Sequence, residues 1–267
     1  MRSMWKGAIS FGMVAIPVKL HAATASNRVA FVQVHQRDGG RITLRRVCTA
    51  CGEEVPYTDV AKAHELPTGA IVVLTDQDLA GLPMATAHRI EILQFTPASQ
   101  VDPVLRARSY YLEPEPASAR SYVLLREALA RSGNVAVARV SLRQHERLAA
   151  LRAHDAVLIL ETLLWPDEMR APEFAFVDQD IDVASSELKM AASLIGAMTA
   201  DFEPRLYRDG YHDALKELVI AKAERREVVW PDGGQELAGR PAGLLEALRA
   251  SLAAALASRA ERGRASA

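Results

Sequence analysis

Polar and hydrophobic residues alternate with a period of two over much of the first 165 residues, which is typical of β-strands. The alternation predicts one bent strand or a strand pair at residues 5–20, and strands at 70–75, 88–95, 108–112, 134–142 and 156–165. A short acidic helical turn is predicted at 76–79. The period becomes helical at 118–132, where Tyr122, Leu125 and Leu129 form a stripe that ends before Gly133. Strands with one inserted helix predict a barrel or a sandwich.

Beyond Pro172 the pattern is helical to the end of the chain. Helices are predicted at 187–198, with Leu188, Ala191, Ile195 and Met198 on one face, and at 210–227, with a second apolar stripe. Two helices that follow a sheet cannot bury two apolar faces by themselves. The pattern leaves open whether they pack on the sheet or on a partner subunit.

The C-terminal segment consists of a Gly/Pro-containing linker, 230–243, and a last helix within 244–267. Leucines repeat there every four residues, at Leu244, Leu248, Leu252 and Leu256. A short helix alone in water is marginal. An apolar stripe behind a linker therefore indicates a helix that orders on a partner, and the alternative is a fraying tail.

A basic hairpin is predicted within residues 31–57. Alternation at 29–34 is followed by a turn at Asp38-Gly39-Gly40 and a returning strand at 41–47. On a strand, Arg41 and Arg45 would share one face, with Arg37 and Arg46 beside them. The pattern indicates a surface for a polyanion, and the alternative is a solvated edge whose arginines discourage aggregation.

Charge is distributed unevenly, although the formal net charge is only −1. Successive blocks of the chain, 1–52, 53–103, 104–152, 153–187 and 188–267, carry +7, −6, +5, −8 and +1. A fold that gathers the basic blocks on one surface can attract a polyanion despite a near-neutral total.

The two cysteines, Cys48 and Cys51, form a C-x-x-C-G motif that is similar to half of a zinc ribbon. A zinc site needs four ligands, so it would require His35 and His64 or a cysteine pair from a second chain. We predict a turn without metal and keep zinc as the alternative, with a redox dithiol less favoured because no βαβ context surrounds the motif.

Motifs that would indicate an enzyme or a membrane protein were not found. The chain has no phosphate loop, dinucleotide fingerprint, nucleophile elbow or H-E-x-x-H motif. The adjacent pairs His154-Asp155, His212-Asp213 and His145-Glu146 do not by themselves indicate acid–base chemistry. Without a signal peptide or an apolar stretch of membrane length, the expectation is a cytoplasmic protein that is not an enzyme and needs no cofactor.

Several stretches together resemble the prokaryotic Ku family, the DNA-end-binding proteins of bacterial non-homologous end joining. They are MRSMWKGAISFGMVAIPVKL, QVHQRDGGRI, RVCTACGEEVPY, VVLTDQDLA, SYYLEP and ELKMA, in this order within residues 1–227. The C-terminal LLEALRASLA also resembles the tail with which this family recruits the ATP-dependent DNA ligase D. The chain departs from the family in its sparse basic tail and in Ala184, where a helix-capping serine is expected, so Ser185 is predicted as the cap.

The resemblance implies a mixed β+α fold: a β-barrel core at 1–183 with a DNA-encircling bridge at about 31–75, and a helical arm at 184–229. Two such chains would form a homodimeric ring that threads on double-stranded DNA ends in the nucleoid. Predicted phosphate contacts are Arg37, Arg41, Arg45 and Arg46, then Lys6, Lys19, Arg139 and Arg143; predicted ligase contacts are Leu244, Leu245, Leu248 and Leu252. The alternative function is a zinc-ribbon-containing module that binds nucleic acid or makes transcription-associated interactions.

Overall fold

The computed structural model describes residues 1–82, 88–142, 145–228 and 243–265, with backbone only from 258 onward. The chain divides into two compact units, Met1–Asn27 with Phe31–Ala171 and Arg28–Ala30 with Pro172–Ala267. Among the described residues, no helix is both long and apolar enough to cross a lipid bilayer.

The first unit is built around a closed seven-stranded barrel, which confirms the barrel expected from the resemblance. Its strands are β1 (Trp5–Phe11), β2 (Val14–Ala22), β5 (Arg89–Pro97), β6 (Arg106–Pro114), β7 (Asn134–Leu142), β8 (His145–His154) and β9 (Val157–Leu163). Around the barrel they follow the order β1-β2-β6-β9-β8-β7-β5. Only β1 and β5 run parallel, and their pairing closes the barrel.

The barrel core consists of the inward-facing residues that alternation predicts. On β2 these are Ile16, Val18 and Leu20, each about 1% exposed. Helix α2 (Ala119–Ser132) adds Tyr122, Leu125 and Leu129 to the same cluster, which confirms the predicted stripe. It ends at Gly133 with φ 66°, a left-handed conformation that glycine adopts without steric strain.

Two strands were not predicted. Strand β8 carries Ala149, Ala150 and Leu151 as three consecutive buried residues, so its sequence does not alternate. Strand β3 (Lys62–Glu65) is exposed along its whole length and pairs with β4 (Ile71–Leu74) in a separate two-stranded sheet. The predicted acidic turn is the short helix α1 (Asp76–Ala80), which begins with a capping box between Thr75 and Asp78.

The second unit contains α3 (Ser185–Met198), α4 (Gly210–Ala223) and α5 (Leu244–Ala265). Helices α3 and α5 pack against each other. The predicted cap Ser185 is wrong, because Ala184 occupies the N-cap and Ser185 is the first helical residue. Alanine has no side-chain acceptor, so only the reverse half of a capping box is present: the Ala184 N–H donates to Glu187 Oε2 at 3.2 Å.

The apolar face predicted on α3 is mostly uncovered. Leu188, Ile195 and Met198 are 60%, 67% and 67% exposed, whereas the half-buried apolar side chains are those of Met190, Ala191, Leu194 and Ala197. Helix α4 buries His212 and Ala221 but leaves Tyr211 exposed. These two helices therefore each present apolar surface that the described part of the chain does not cover.

Candidate nucleic-acid interface

The candidate interface includes a long insert, residues 23–88, between β2 and β5. Strand β1 runs antiparallel to β2 and parallel to β5, so β2 ends and β5 begins at the same edge of the barrel. The returning end is fastened to β1: the Ala8 N–H donates to the His88 carbonyl at 3.0 Å, and His88 Nδ1 lies 3.1 Å from the Lys6 carbonyl. The insert thus begins at β2 on one side of β1 and ends at β5 on the other side.

The first turn of the insert lies where the sequence predicts it, around Asp38. The His35 N–H donates to the Gly40 carbonyl at 2.7 Å, and Gly39 has φ 72°. The Asp38 carboxylate accepts from the Gly40 N–H at 2.9 Å and lies 2.7 Å from His35 Nδ1. These contacts lower the pKa of Asp38, so the turn is fixed by an ionised side chain.

The regular strands predicted at 29–34 and 41–47 are wrong, because each is reduced to single bridges. Val34 pairs with Arg41 in one isolated bridge, and Val47 pairs with Glu54 in another. After Arg41 the chain does not continue to pair with residues 29–34. Its later residue Val47 pairs instead with Glu54, across a second turn. The insert is therefore two consecutive tight turns followed by the β3–β4 sheet.

The four predicted arginines of the insert are all exposed, but their charges are not equally available. Arg45 forms an ion pair with Glu54, Nη1 to Oε2 at 2.9 Å. Arg46 lies over the ring of Tyr57 at 5.1 Å, which is a cation–π contact. Arg37 and Arg41 have no ion pair in the described part of the chain. Of the four predicted arginines, they are consequently the least compensated.

Lys6 and Lys19 are brought together on the outside of the barrel. They are direct cross-strand partners in the β1–β2 ladder, on the parity opposite to the buried Ile9 and Leu20. Their separation in sequence gives no hint of this contact. Lys19 also faces Glu113 across the β2–β6 pairing and contributes to lowering the pKa of that carboxyl, after the hydrogen bond from His21.

Arg139 is held by carboxylates. Its Nη2 lies 3.1 Å from Glu91 Oε2, and its Nη1 lies 4.0 Å from Glu146 Oε2. Its charge is therefore compensated by the barrel itself. Arg143 lies outside the described residues.

Sequence reasoning missed two cations on the barrel. Arg108 and Arg147 line a cavity of about 530 Å³ together with His145 and the apolar side chains of Trp5 and Tyr110. Neither arginine forms an ion pair among the described residues. Alternation on β6 was a signal that could have placed Arg108, whereas Arg147 lies on β8, which was not predicted.

The cysteines occupy the second turn of the insert. The Cys48 N–H donates to the Glu53 carbonyl at 2.9 Å, and the Gly52 N–H donates to the Cys48 carbonyl at 2.8 Å. Both thiols are free, and Cys51 is exposed. Backbone N–H groups of Cys51 and Ala50 lower the pKa of the Cys48 thiol by hydrogen bonding. Within the described ranges, no three His, Cys, Asp or Glu side chains come together as metal ligands.

The adjacent acid–histidine pair on β8 is not arranged for catalysis. His154 Nε2 lies 3.7 Å from Asp155 Oδ2, which is longer than a hydrogen bond, and both side chains are substantially exposed. The geometry of this pair gives no general base with an oriented partner.

The predicted ligase contacts lie on α5. Leu245, Leu248 and Leu252 are half-buried, whereas Leu244 is 64% exposed. The half-buried positions follow a spacing of three and four residues, so they form one face of the helix. In this structure, part of the proposed contact surface is covered within the chain.

The sequence-family model of the Ku70/Ku80 beta-barrel domain matches residues 10–190 of the chain. The chain is 52% identical over 261 residues to a protein of Frankia casuarinae named Non-homologous end joining protein Ku, covering 97% of this chain and 65% of that protein. Proteins of the same name are 48% identical in Mycolicibacterium smegmatis, over 85% of this chain and 73% of the relative, and 44% identical in Mycobacterium tuberculosis, over 95% and 96%. A closed barrel of this topology, a family match over more than half of the residues and identities of this size establish that the chain belongs to the Ku family.

Proposed function

We propose that the chain binds double-stranded DNA ends without sequence specificity, as a homodimeric ring, in non-homologous end joining. The observation that carries the proposal is the insert of residues 23–88, which is anchored at one edge of the barrel and displays exposed arginines. The names of the relatives support a role in end joining, and the fold supports binding of DNA through its phosphates. The predicted chemistry is neutralisation of phosphates by cations.

Uncompensated basic side chains favour contact with a phosphate backbone over contact with base edges. Arg37 and Arg41 project from the first turn of the insert, where only isolated bridges form, and Lys6 and Lys19 lie side by side on the barrel. Each phosphate contact releases counterions, so affinity should fall steeply as salt rises. Contacts of this kind position the protein on a duplex without reading its sequence.

The homodimer is supported by the uncovered apolar faces of the second unit. Leu188, Ile195 and Met198 on α3 and Tyr211 on α4 are large, apolar and exposed. Large apolar side chains exposed along one helix face favour an interaction site. A two-fold axis would let the same faces cover each other in two copies.

Binding alone would perform this function, so we propose no catalytic residue and no enzymatic activity. The DNA ligand would be the end of a broken chromosome. We therefore propose that the protein acts at the nucleoid, in the cytoplasm.

We further propose that α5 recruits the ATP-dependent DNA ligase D. The support is the apolar face of Leu245, Leu248 and Leu252, which a ligase domain could cover after α5 leaves α3. Leu248→Asp should abolish stimulation of ligation while DNA-end binding is retained. Ser251→Asp, at an exposed position of α5 outside the predicted ligase contacts, is the matched control. Loss of end binding in Leu248→Asp would instead assign α5 to the fold.

The test of end binding compares one linear duplex with the same sequence closed into a circle, in mobility-shift assays at two salt concentrations. A ring should bind only the linear form, and blocking both ends after loading should trap it. Equal binding of circle and linear duplex would overturn the ring and favour the alternative of a zinc-ribbon module that binds nucleic acid.

A further inference from the structure

The closed barrel holds a cavity of about 530 Å³ at one of its two ends. Strand β2 ends there and strands β6 and β8 begin there, so the insert of residues 23–88 starts from the same edge of the barrel. The floor of the cavity is buried, since Leu20, Tyr110 and Thr162 are 1%, 8% and 2% exposed. Small ligands often bind in the open ends of β-barrels. We call this cavity the barrel mouth; its lining includes Trp5, Leu20, Arg108, Tyr110, Arg147 and Thr162.

Two arginines occupy inward-facing positions of the barrel mouth. Arg108 lies two residues before the core residue Tyr110 on β6, and Arg147 lies two residues before the core residue Ala149 on β8. Side chains two residues apart on a strand share a face, so both arginines point to the same side of the sheet as the core. Strands β6 and β8 lie on either side of β9. Their backbones are therefore about 10 Å apart, close enough for two long side chains to contact one ligand between them.

The charges of these two arginines are not compensated by the barrel. On the same two strands, Arg106 and Arg152 share Glu161, whose carboxylate lies 3.6 Å from Arg106 Nε and 2.9 Å from Arg152 Nη2. Arg108 and Arg147 form no ion pair among the described residues, and no Asp or Glu of the described chain lines the barrel mouth. Two such cations in a concave site focus a positive potential. The barrel mouth should therefore attract an anion.

Tyr110 brings to the barrel mouth a polar group that the described residues leave unsatisfied. Its side chain lines the cavity and is almost completely buried. Its hydroxyl makes no hydrogen bond in the described part of the chain. A hydroxyl that is buried without a partner is unfavourable, so this one is available to a ligand.

The surroundings of Arg108 and Trp5 are fixed before any ligand arrives. The Thr162 hydroxyl accepts from the Arg108 N–H at 3.1 Å and donates to the Arg108 carbonyl at 3.2 Å. The indole of Trp5 lies against Gly7, where it leaves no room for a β-carbon. An aromatic ring is a platform on which a planar base can stack, and fixed elements lower the cost of binding. A ring beside two uncompensated guanidinium groups fits a nucleotide.

We propose that the barrel mouth binds a nucleotide that ends in a phosphomonoester. Arg108 and Arg147 bind the terminal phosphate, Trp5 stacks on the base, and the Tyr110 hydroxyl donates to an oxygen of the nucleotide. A phosphomonoester carries about 1.5–2 negative charges at neutral pH, more than the single charge of a phosphodiester, so two arginines match it better. Free nucleotides and 5′-phosphorylated ends of DNA strands both have this group. For a strand end, the inference rests on the proposed function and deepens it, because it gives the terminal phosphate a subsite of its own.

The first experiment measures binding of deoxyadenosine 5′-monophosphate to the full chain by isothermal titration calorimetry. One nucleotide should bind per chain. Deoxyadenosine, which lacks the phosphate, should bind about tenfold more weakly or worse, because the charge-assisted hydrogen bonds are lost. The methyl ester of the nucleotide, a phosphodiester, should have an intermediate affinity. Equal affinities for nucleotide and nucleoside would overturn the phosphate contacts.

The second experiment distinguishes the two sources of the phosphomonoester. Two linear duplexes of one sequence, with 5′-phosphate or 5′-hydroxyl ends, are compared by fluorescence anisotropy. Tighter binding of the phosphorylated duplex assigns the strand end, whereas nucleotide binding without such a preference assigns the free nucleotide. Absence of both nucleotide binding and phosphate preference would overturn the proposal.

Failure of this inference can be told apart from failure of the proposed function. A chain that binds linear duplexes but not circles, without regard to the terminal phosphate, and binds no nucleotide lacks the nucleotide site and retains end binding. A chain that binds the nucleotide but binds circles as well as linear duplexes retains the nucleotide site and is not a threaded ring.

Variants locate the contacts. Arg108→Ala and Arg147→Ala should each weaken nucleotide binding about tenfold or more. Arg120→Ala is the matched control, because Arg120 is exposed on α2 and does not line the barrel mouth. Tyr110→Phe should weaken binding less than either arginine variant, since it removes one neutral hydrogen bond. Circular dichroism checks that each variant is folded. Nucleotide binding that is unchanged in both arginine variants would overturn the assignment.

Discussion

Lys6 on β1 stands directly opposite Lys19 on β2, and both side chains lie on the outer surface of the barrel. Like charges at directly opposed positions of an antiparallel pair are destabilising. Glu113 lies next to Lys19 on the other side and leaves Lys6 the less compensated of the two. Binding of a polyanion would explain why two lysines that repel each other lie side by side on the barrel surface.

Lys6→Gln should therefore separate stability from binding. Relief of the repulsion should raise the free energy of unfolding by about 0.2–1 kcal/mol, measured in urea. Loss of one phosphate contact should lower the slope of log K against log salt by about 1. Lys189→Gln on α3 removes a charge without an opposing lysine and serves as control. A less stable Lys6→Gln variant would contradict the repulsion.

Glu54→Gln should tighten DNA binding, because it releases Arg45 from its ion pair. Affinity is measured by fluorescence anisotropy on a labelled duplex end over a range of salt concentrations. The double variant Arg41→Ala with Arg45→Ala should weaken binding for all sequences alike and lower the salt slope by about 2. An unchanged slope would remove both arginines from the interface. As a control, Glu54→Gln introduced into the double variant should not change the affinity further, because Arg45 is then absent.

Ala184→Ser should stabilise α3. A serine at the N-cap would accept from the Glu187 N–H and complete the capping box whose other half, Ala184 N–H to Glu187 Oε2, already exists. The expected gain is about 1 kcal/mol, measured as protection of α3 amides in hydrogen exchange. Ala184→Ser combined with Glu187→Ala should lose part of that gain. No change in protection would mean that α3 frays independently of its cap.

Tyr122→Phe should destabilise the barrel. The hydroxyl donates to the Leu112 carbonyl at 2.6 Å and accepts from the Leu158 N–H at 2.7 Å, so it joins α2 to β6 and β9. Leaving these buried groups unsatisfied costs about 1–3 kcal/mol in the free energy of unfolding. Tyr110→Phe is the control, since its hydroxyl has no hydrogen bond among the described residues.

Tyr122 also predicts an alkaline limit to stability. Burial raises the pKa of its hydroxyl above the ordinary value of 10.0, so the folded state holds the proton more tightly than the unfolded state. The resulting stabilisation is complete below pH 10 and is lost as the pH rises through the folded-state pKa. The wild type should lose free energy of unfolding above about pH 10 more steeply than Tyr122→Phe. Equal slopes would contradict the assignment.

The sequence was sufficient to predict elements whose burial follows a single period. Val18 and Leu20 alternate on β2, and Tyr122, Leu125 and Leu129 repeat on α2, so both elements and their buried faces were predicted correctly. On β8, in contrast, Ala149–Leu151 are buried consecutively, because Ala149 and Leu151 belong to the barrel core while Ala150 packs in a second cluster with Val101, Val135 and Leu163. Such a run carries no period from which a strand could be inferred.

The ion pairs of the candidate site could not be predicted from the sequence, because charges are paired by tertiary contacts. Arg45 meets Glu54 only because the second turn brings two segments nine residues apart face to face. Arg139 meets Glu91 across two strands that are far apart in sequence. Local spacing can place a guanidinium on a surface, but it cannot tell which carboxylate will neutralise it.

The anchoring of the insert on either side of β1 has a consequence for how the family can vary. In polymer terms the insert is a closed loop, and the entropy of closing it grows only with the logarithm of its length, by about 0.6 kcal/mol for each doubling. Residues can therefore be gained or lost between Ala22 and Arg89 with little effect on the folding equilibrium of the barrel. In the proposed ring, the opening for DNA could therefore change in size while the barrel keeps its stability.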